Sequence, residues 1–225
     1  MPQTKMHPPL GLLLLYFATY TACSVFFQLR SEVPPWIDGS PIEYFTGGIL
    51  WMSSLVSLMI AGVLINRSKR AWLWLFVSAG LALLALDELF AFHEKTSQFL
   101  GNDDHIKVFQ WLLAGSALYL INRLERSPLK ARSAFALGYV IHGLYILSDI
   151  GDGDYFRIPL ISMSQLLWTE EYLELFALTA YCIGLVLLFT SIFGTTIRRS
   201  LQSSTVSLHP HEVTKQAHYG SAEHP

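Results

Sequence analysis

Six long apolar stretches, at 10–28, 44–65, 71–93, 107–121, 133–149 and 163–193, recur along the chain with short polar connections between them. A helix that crosses bilayer hydrocarbon needs roughly 20 mostly apolar residues, and the lipid-exposed backbone must satisfy its own hydrogen bonds. The expected fold is therefore all-α, a polytopic membrane bundle of about six transmembrane helices. Of the 225 residues, 52% are hydrophobic and 14% charged, which is too apolar for an average soluble domain and makes lipid the expected solvent. No basic patch suited to nucleic acid is present. Cys23 and Cys182 both fall inside apolar runs and read as small buried hydrophobes. Lys5 followed by the run from Leu10 has the start of a signal peptide. That run continues through Ser24-Val25-Phe26-Phe27, which favours a retained first helix.

Basic residues alternate between connections. Arg67, Lys69 and Arg70 follow the second stretch, Arg123, Arg126, Lys130 and Arg132 the fourth, and Arg198 and Arg199 the sixth. The positive-inside rule makes those connections cytoplasmic. With Lys5 and Lys215, 11 of the 15 Lys and Arg residues fall on that side, and both termini are expected in the cytoplasm. The acidic residues show the opposite bias, with 14 of 17 in outer loops or the outer halves of spans. Residues 1–9 then form a cytoplasmic N-terminus, 10–199 the transmembrane domain, and 200–225 a polar, disordered cytoplasmic tail. Trp36, Tyr44, Trp72, Trp74, Trp111 and Trp168 fall near span ends, as in an aromatic belt. The expected location is a cell membrane, most simply a bacterial inner membrane.

The third stretch ends in Asp87-Glu88-Leu89-Phe90-Ala91-Phe92-His93-Glu94. At 1.5 Å per residue from Trp72, Asp87 lies about 22 Å up the helix, still inside a core about 30 Å thick. Asp87 and Glu94 share one helix face, with Glu88 rotated from it by about 100°. His142 and Asp149 share a face of the fifth span with Tyr145 between them, and Asp149 comes to the same height as Asp87. In the sixth, Glu174 is beside both Glu170 and Glu171, and Tyr181 continues the Glu170–Glu174 stripe. Like charges gathered this closely are destabilising unless a cation, a proton or a basic partner is shared.

Carboxylates with imidazoles suit a divalent metal ion such as zinc, iron or manganese. Asp87, Glu88, His93, Glu94, His142 and Asp149 are the candidate ligands, with Glu170 and Glu174 as candidate catalytic bases. The Glu-x-x-His pairs of ferritin-like di-iron proteins and the His-Glu-x-x-His of zincins are both absent. The sequence leaves three functions open. The first is a metal-dependent membrane enzyme acting on a lipid or other membrane-accessible small molecule. The second is a proton- or cation-coupled transporter or channel, and the third a non-catalytic sensor or assembly factor. Against transport, the inner half of the bundle offers few polar stepping stones.

Overall fold

The computed structural model describes residues 10–35, 40–90, 104–152 and 163–207. They form six helices: α1 (Leu10–Arg30), α2 (Pro41–Leu64), α3 (Ala71–Phe90), α4 (Asp104–Glu125), α5 (Leu129–Asp152) and α6 (Met163–Ser207). Among the described residues there is no strand. Four helical segments are long and apolar enough to cross a membrane: Gly11–Arg30, Pro41–Leu64, Ala71–Phe90 and Leu167–Gln202. At 22 and 24 residues, α4 and α5 match them in length but not in apolar content. The helix α6 extends to Ser207, so the polar tail expected from 200 begins as helix.

The helices pack in the order α3, α2, α6, α5, α4, with α1 lying against α2 and, more thinly, α6. Side-chain exposure fits a lipid surround. Phe76 and Leu83 of α3 are 76% and 66% exposed, whereas Trp74 on the opposite face is fully buried. Trp74, expected in the aromatic belt, instead sits in a core with Ile60, Ala61, Ile121, Phe135, Leu188 and Ile192. Of the two cysteines, Cys182 is buried as expected but Cys23 is exposed, because the face of α1 that carries it is not the one turned to α2.

Small residues allow the α5–α6 contact. A side chain on Gly184 would begin 2.5 Å from the Phe135 ring, and one on Gly138 2.7 Å from Tyr181. In lipid, where no hydrophobic force drives helix association, such close approach is a main source of packing energy. Between α2 and α3, Ser54 and Ser78 each donate a hydrogen bond to the other's carbonyl, at 2.8 and 2.9 Å.

The two ends of the bundle are built differently. At the end where α1 meets α2, buried Gln28 donates to the Val33 carbonyl (2.8 Å) and accepts from the Ile42 N–H (3.3 Å). Ser40 caps α2, Pro41 opens it, and the Ser40 hydroxyl accepts from the Glu43 N–H. A first-turn N–H and the N-cap are thus satisfied where water is scarce. At the opposite, basic end, the Trp74 indole donates to the Glu125 carboxylate (3.2 Å), and Arg70 pairs with the same carboxylate at 3.7 Å. Arg70 also donates to the Leu124 carbonyl. Arg126 turns the chain from α4 to α5 in the left-handed conformation, φ 48°.

Candidate functional site

Helix registers place the acidic residues. Ser54 opposite Ser78 on antiparallel α2 and α3 brings Glu43 level with Glu88. Ser53 lies within hydrogen-bonding reach of the Cys182 thiol, and α2 and α6 run parallel, so Glu43 is also level with the turn Glu171–Glu174. Three helices therefore bring carboxylates to one height at the acidic end. The half-buried Glu88 is the centre of this group. The charged groups acting on it are Glu174 first, then Glu171, Glu43 and Asp87, carboxylates all. Glu170, one turn from Glu174 along α6, is buried.

Of the adjacent pair on α3, it is Glu88 and not the Asp87 face that turns toward the α6 acids. Helix rotation explains this: Leu89 and Ala85 of α3 pack on Gly47 of α2, which turns Glu88 toward α6. Glu43 was absent from the expected site. Its signal is the Ser40-Pro41-Ile42-Glu43 start, an N-cap followed three residues later by an acid, which puts a carboxylate in the first turn of a membrane helix.

His142 is half-buried, with its Nδ1 3.4 Å from the Tyr181 hydroxyl and its ring against Tyr145 and Tyr181. By the register of Gly138 with Tyr181, His142 lies about one turn deeper than Glu174. It belongs to an aromatic layer that continues through Tyr139 and the stacked Trp111 ring. Among the described residues, α3 and α5 do not pack on each other. The backbone of Asp149 continues α5 to the height of the Glu170–Glu174 turn, by the register of Phe135 with Gly184 and Gly138 with Tyr181. The Asp149 side chain, together with His93 and Glu94, lies outside the described residues. Among the described residues, no three His, Cys, Asp or Glu side chains stand close enough together to close on a metal ion.

On another face of α6, a cleft of about 620 Å³ opens between α1 and α6. Its walls include Phe17, Val25 and Phe26 of α1 and Phe176 and Ile183 of α6. The other end of the bundle holds no comparable gathering of acids. There the described carboxylate, Glu125, carries its own cation and indole donor.

Among the described residues the chain is all-helical, with four helices long and apolar enough to span a bilayer and large apolar side chains facing outward, which makes it a membrane protein in class. Its family is more particular. Residues 10–189 match the model described as Domain of unknown function (DUF8692), and the chain belongs to that family. The match runs from the start of α1 into α6 and includes every carboxylate of the Glu88 group. No curated protein and no solved structure matches the chain.

Proposed function

We propose that this protein is a metal-dependent enzyme embedded in a cell membrane, acting on a lipid or another substrate that enters from the bilayer. In this reading all six helices cross the membrane, both termini are cytoplasmic, and the acidic end faces outward. Asp87 and Glu88 would supply ligands to a zinc, iron or manganese ion, with the Asp149 backbone at a similar height on α5. Glu174, with Glu170 on the same stripe, is the base that takes a proton from the attacking water. The ion supplies Lewis acidity to that reaction.

The observation that carries this reading is the surround of Glu88. Four other carboxylates, contributed by three helices, act on one half-buried acid inside a membrane bundle. Intramembrane acids are costly and are by default functional. Their mutual repulsion is offset most directly by a cation held among them. The apolar cleft between α1 and α6 supports a lipid substrate in that its walls suit a hydrocarbon chain. Transport fits less well, because Trp74, Phe135, Leu188 and Ile192 pack as an apolar core toward the basic end.

The test is metal analysis of the purified full-length chain in detergent. The expected result is a stoichiometric divalent metal that is lost in Glu88→Gln and in Asp87→Ala and retained in His142→Phe. Metal-free wild-type protein overturns the metal reading. If that protein passes protons or cations in liposomes, and Glu88→Gln abolishes the flux, the function is transport.

A further inference from the structure

A second pocket lies at the opposite end of the molecule from the acids. It has a volume of about 390 Å³ and is formed by the α2–α3 connection and the first turn of α3, with Asn66, Arg67, Ser68, Lys69 and Trp72 in its wall. Arg67 and Lys69 are exposed, and neither is consumed by a carboxylate in the described structure: the Arg67 guanidinium donates to the Ser200 hydroxyl of α6 at 3.0 Å. That bond ties the connection to the long helix and holds the pocket's basic wall in place. Ser68 shapes the floor, accepting from the Arg70 N–H at 3.2 Å through its hydroxyl and from the Ala71 N–H at 3.2 Å through its carbonyl.

Below the pocket, α3 presents a continuous apolar face. Trp72, Phe76 and Leu83 are 67%, 76% and 66% exposed and lie on one stripe of the helix. From Trp72 to Leu83 the rise is about 16 Å, close to the depth of one leaflet of a core roughly 30 Å thick. A basic pocket at headgroup height, an indole at the interface and an apolar stripe one leaflet long form a single continuous surface. Its charge and its polarity both change in the direction in which those of a phospholipid change.

We infer that the α2–α3 connection is a binding site for an anionic phospholipid of the adjoining leaflet. The phosphate lies between Lys69 and Arg67, within reach of the amide donors of α3's first turn, and one acyl chain runs down the Trp72–Phe76–Leu83 stripe. Anionic lipid is the fitting occupant because each Lys or Arg near a negatively charged membrane surface adds about 1 kcal/mol of attraction. The site is independent of the acidic group and of any reaction performed there.

Native mass spectrometry of the full-length chain, titrated with phosphatidylglycerol, phosphatidylcholine or inorganic phosphate, tests the assignment. The expected result is one tightly retained phosphatidylglycerol, with phosphatidylcholine held more weakly. Lys69→Gln should weaken phosphatidylglycerol binding about fivefold while leaving phosphatidylcholine unchanged. Trp72→Ala should weaken both lipids, since it removes the chain contact and keeps the charge. Equal retention of the two lipids by the wild type, or a Lys69→Gln variant that discriminates as well as the wild type, overturns the proposal. So does inorganic phosphate competing as well as the whole lipid, which would make this a free-anion site. If Lys69→Gln fails to fold, Lys69→Arg, which keeps the charge, must retain the preference or the proposal falls.

Discussion

The two ends of this bundle handle buried carboxylates in opposite ways. At the basic end, Glu125 is almost fully enclosed and is met by the Arg70 guanidinium and the Trp74 indole N–H, while Arg70 also reaches the Leu124 carbonyl. The Glu125 carboxylate has its complements there, as a buried charge requires when its role is to fasten helices together. At the acidic end, Glu88 is acted on by Glu174, Glu171, Glu43 and Asp87. An arrangement selected for stability alone would not place five carboxylates at one height. The contrast marks the basic end as a fastening of the fold; under the proposed function the acidic end is the part held ready for a ligand, where stability is given up for function.

The sharpest way to break this comparison is to truncate the fastening. Trp74→Ala removes a fully buried indole from the core that joins α2, α3, α4, α5 and α6. It should destabilise the protein by about 3 to 5 kcal/mol. The measurement is thermal unfolding in a fixed detergent, and a midpoint within a degree or so of wild type would show that the basic end is not the fastening. Glu125→Ala should cost about 2 kcal/mol. Most of that loss comes from the indole N–H left without its acceptor, since Arg70 is half exposed and its ion pair is partly screened. The double variant Trp74→Phe with Glu125→Ala should then cost less than the sum of the two single changes, because neither residue leaves the other unsatisfied.

Glu88→Gln sharpens the comparison from the other end. It keeps the shape of the side chain and removes one group able to ionise from the five. In metal-free protein it should leave stability unchanged or raise it by up to about 1 kcal/mol, because Gln has no charge to desolvate or to repel the other four. In protein saturated with the metal ion the sign should reverse, because the variant gives up a ligand and with it the stabilisation that binding confers on the folded state. Unfolding midpoints with and without chelator read both effects. A Glu88→Gln variant that is destabilised in chelator would show that the acid is structural.

The helices were legible in the sequence because length and apolarity are local properties, and α2, α3 and α6 begin within a few residues of the expected positions. The acidity of one end was legible for the same reason, since alternating Lys and Arg connections leave the acids to the other side. Helix rotation was not legible. Asp87 and Glu88 are adjacent, and which of them faces α6 depends on how α3 seats on Gly47. The pairing of His142 with Tyr181 follows from the α5–α6 register, which is fixed by Gly138 and Gly184, and no spacing within α5 alone reports it. Glu43 escaped notice because it stands just ahead of the apolar run. Its role emerges once α1 folds back and Ser40 starts α2. Glu125 and Trp74, 51 residues apart in sequence, read separately as a loop acid and a belt aromatic, although they bond to each other.

The smallest expected effect concerns the backbone at the basic end. Arg126 holds φ 48° where α4 gives way to α5, and the following Ser127 carbonyl accepts from Arg132 at 2.7 Å, which fixes the turn. A side chain in the left-handed region costs roughly 1 to 2 kcal/mol that glycine avoids. Glycine in turn gives the unfolded chain more freedom, which returns up to about 1 kcal/mol of that gain. Arg126→Gly should therefore stabilise the fold by about 0.5 kcal/mol, a rise in unfolding midpoint of a degree or two. It should leave metal content unchanged, because the turn lies at the far end of the bundle from Glu88. A loss of stability would mean that the Arg126 side chain itself contributes to the fastening, and the basic end would then depend on charge as much as on the packing around Trp74.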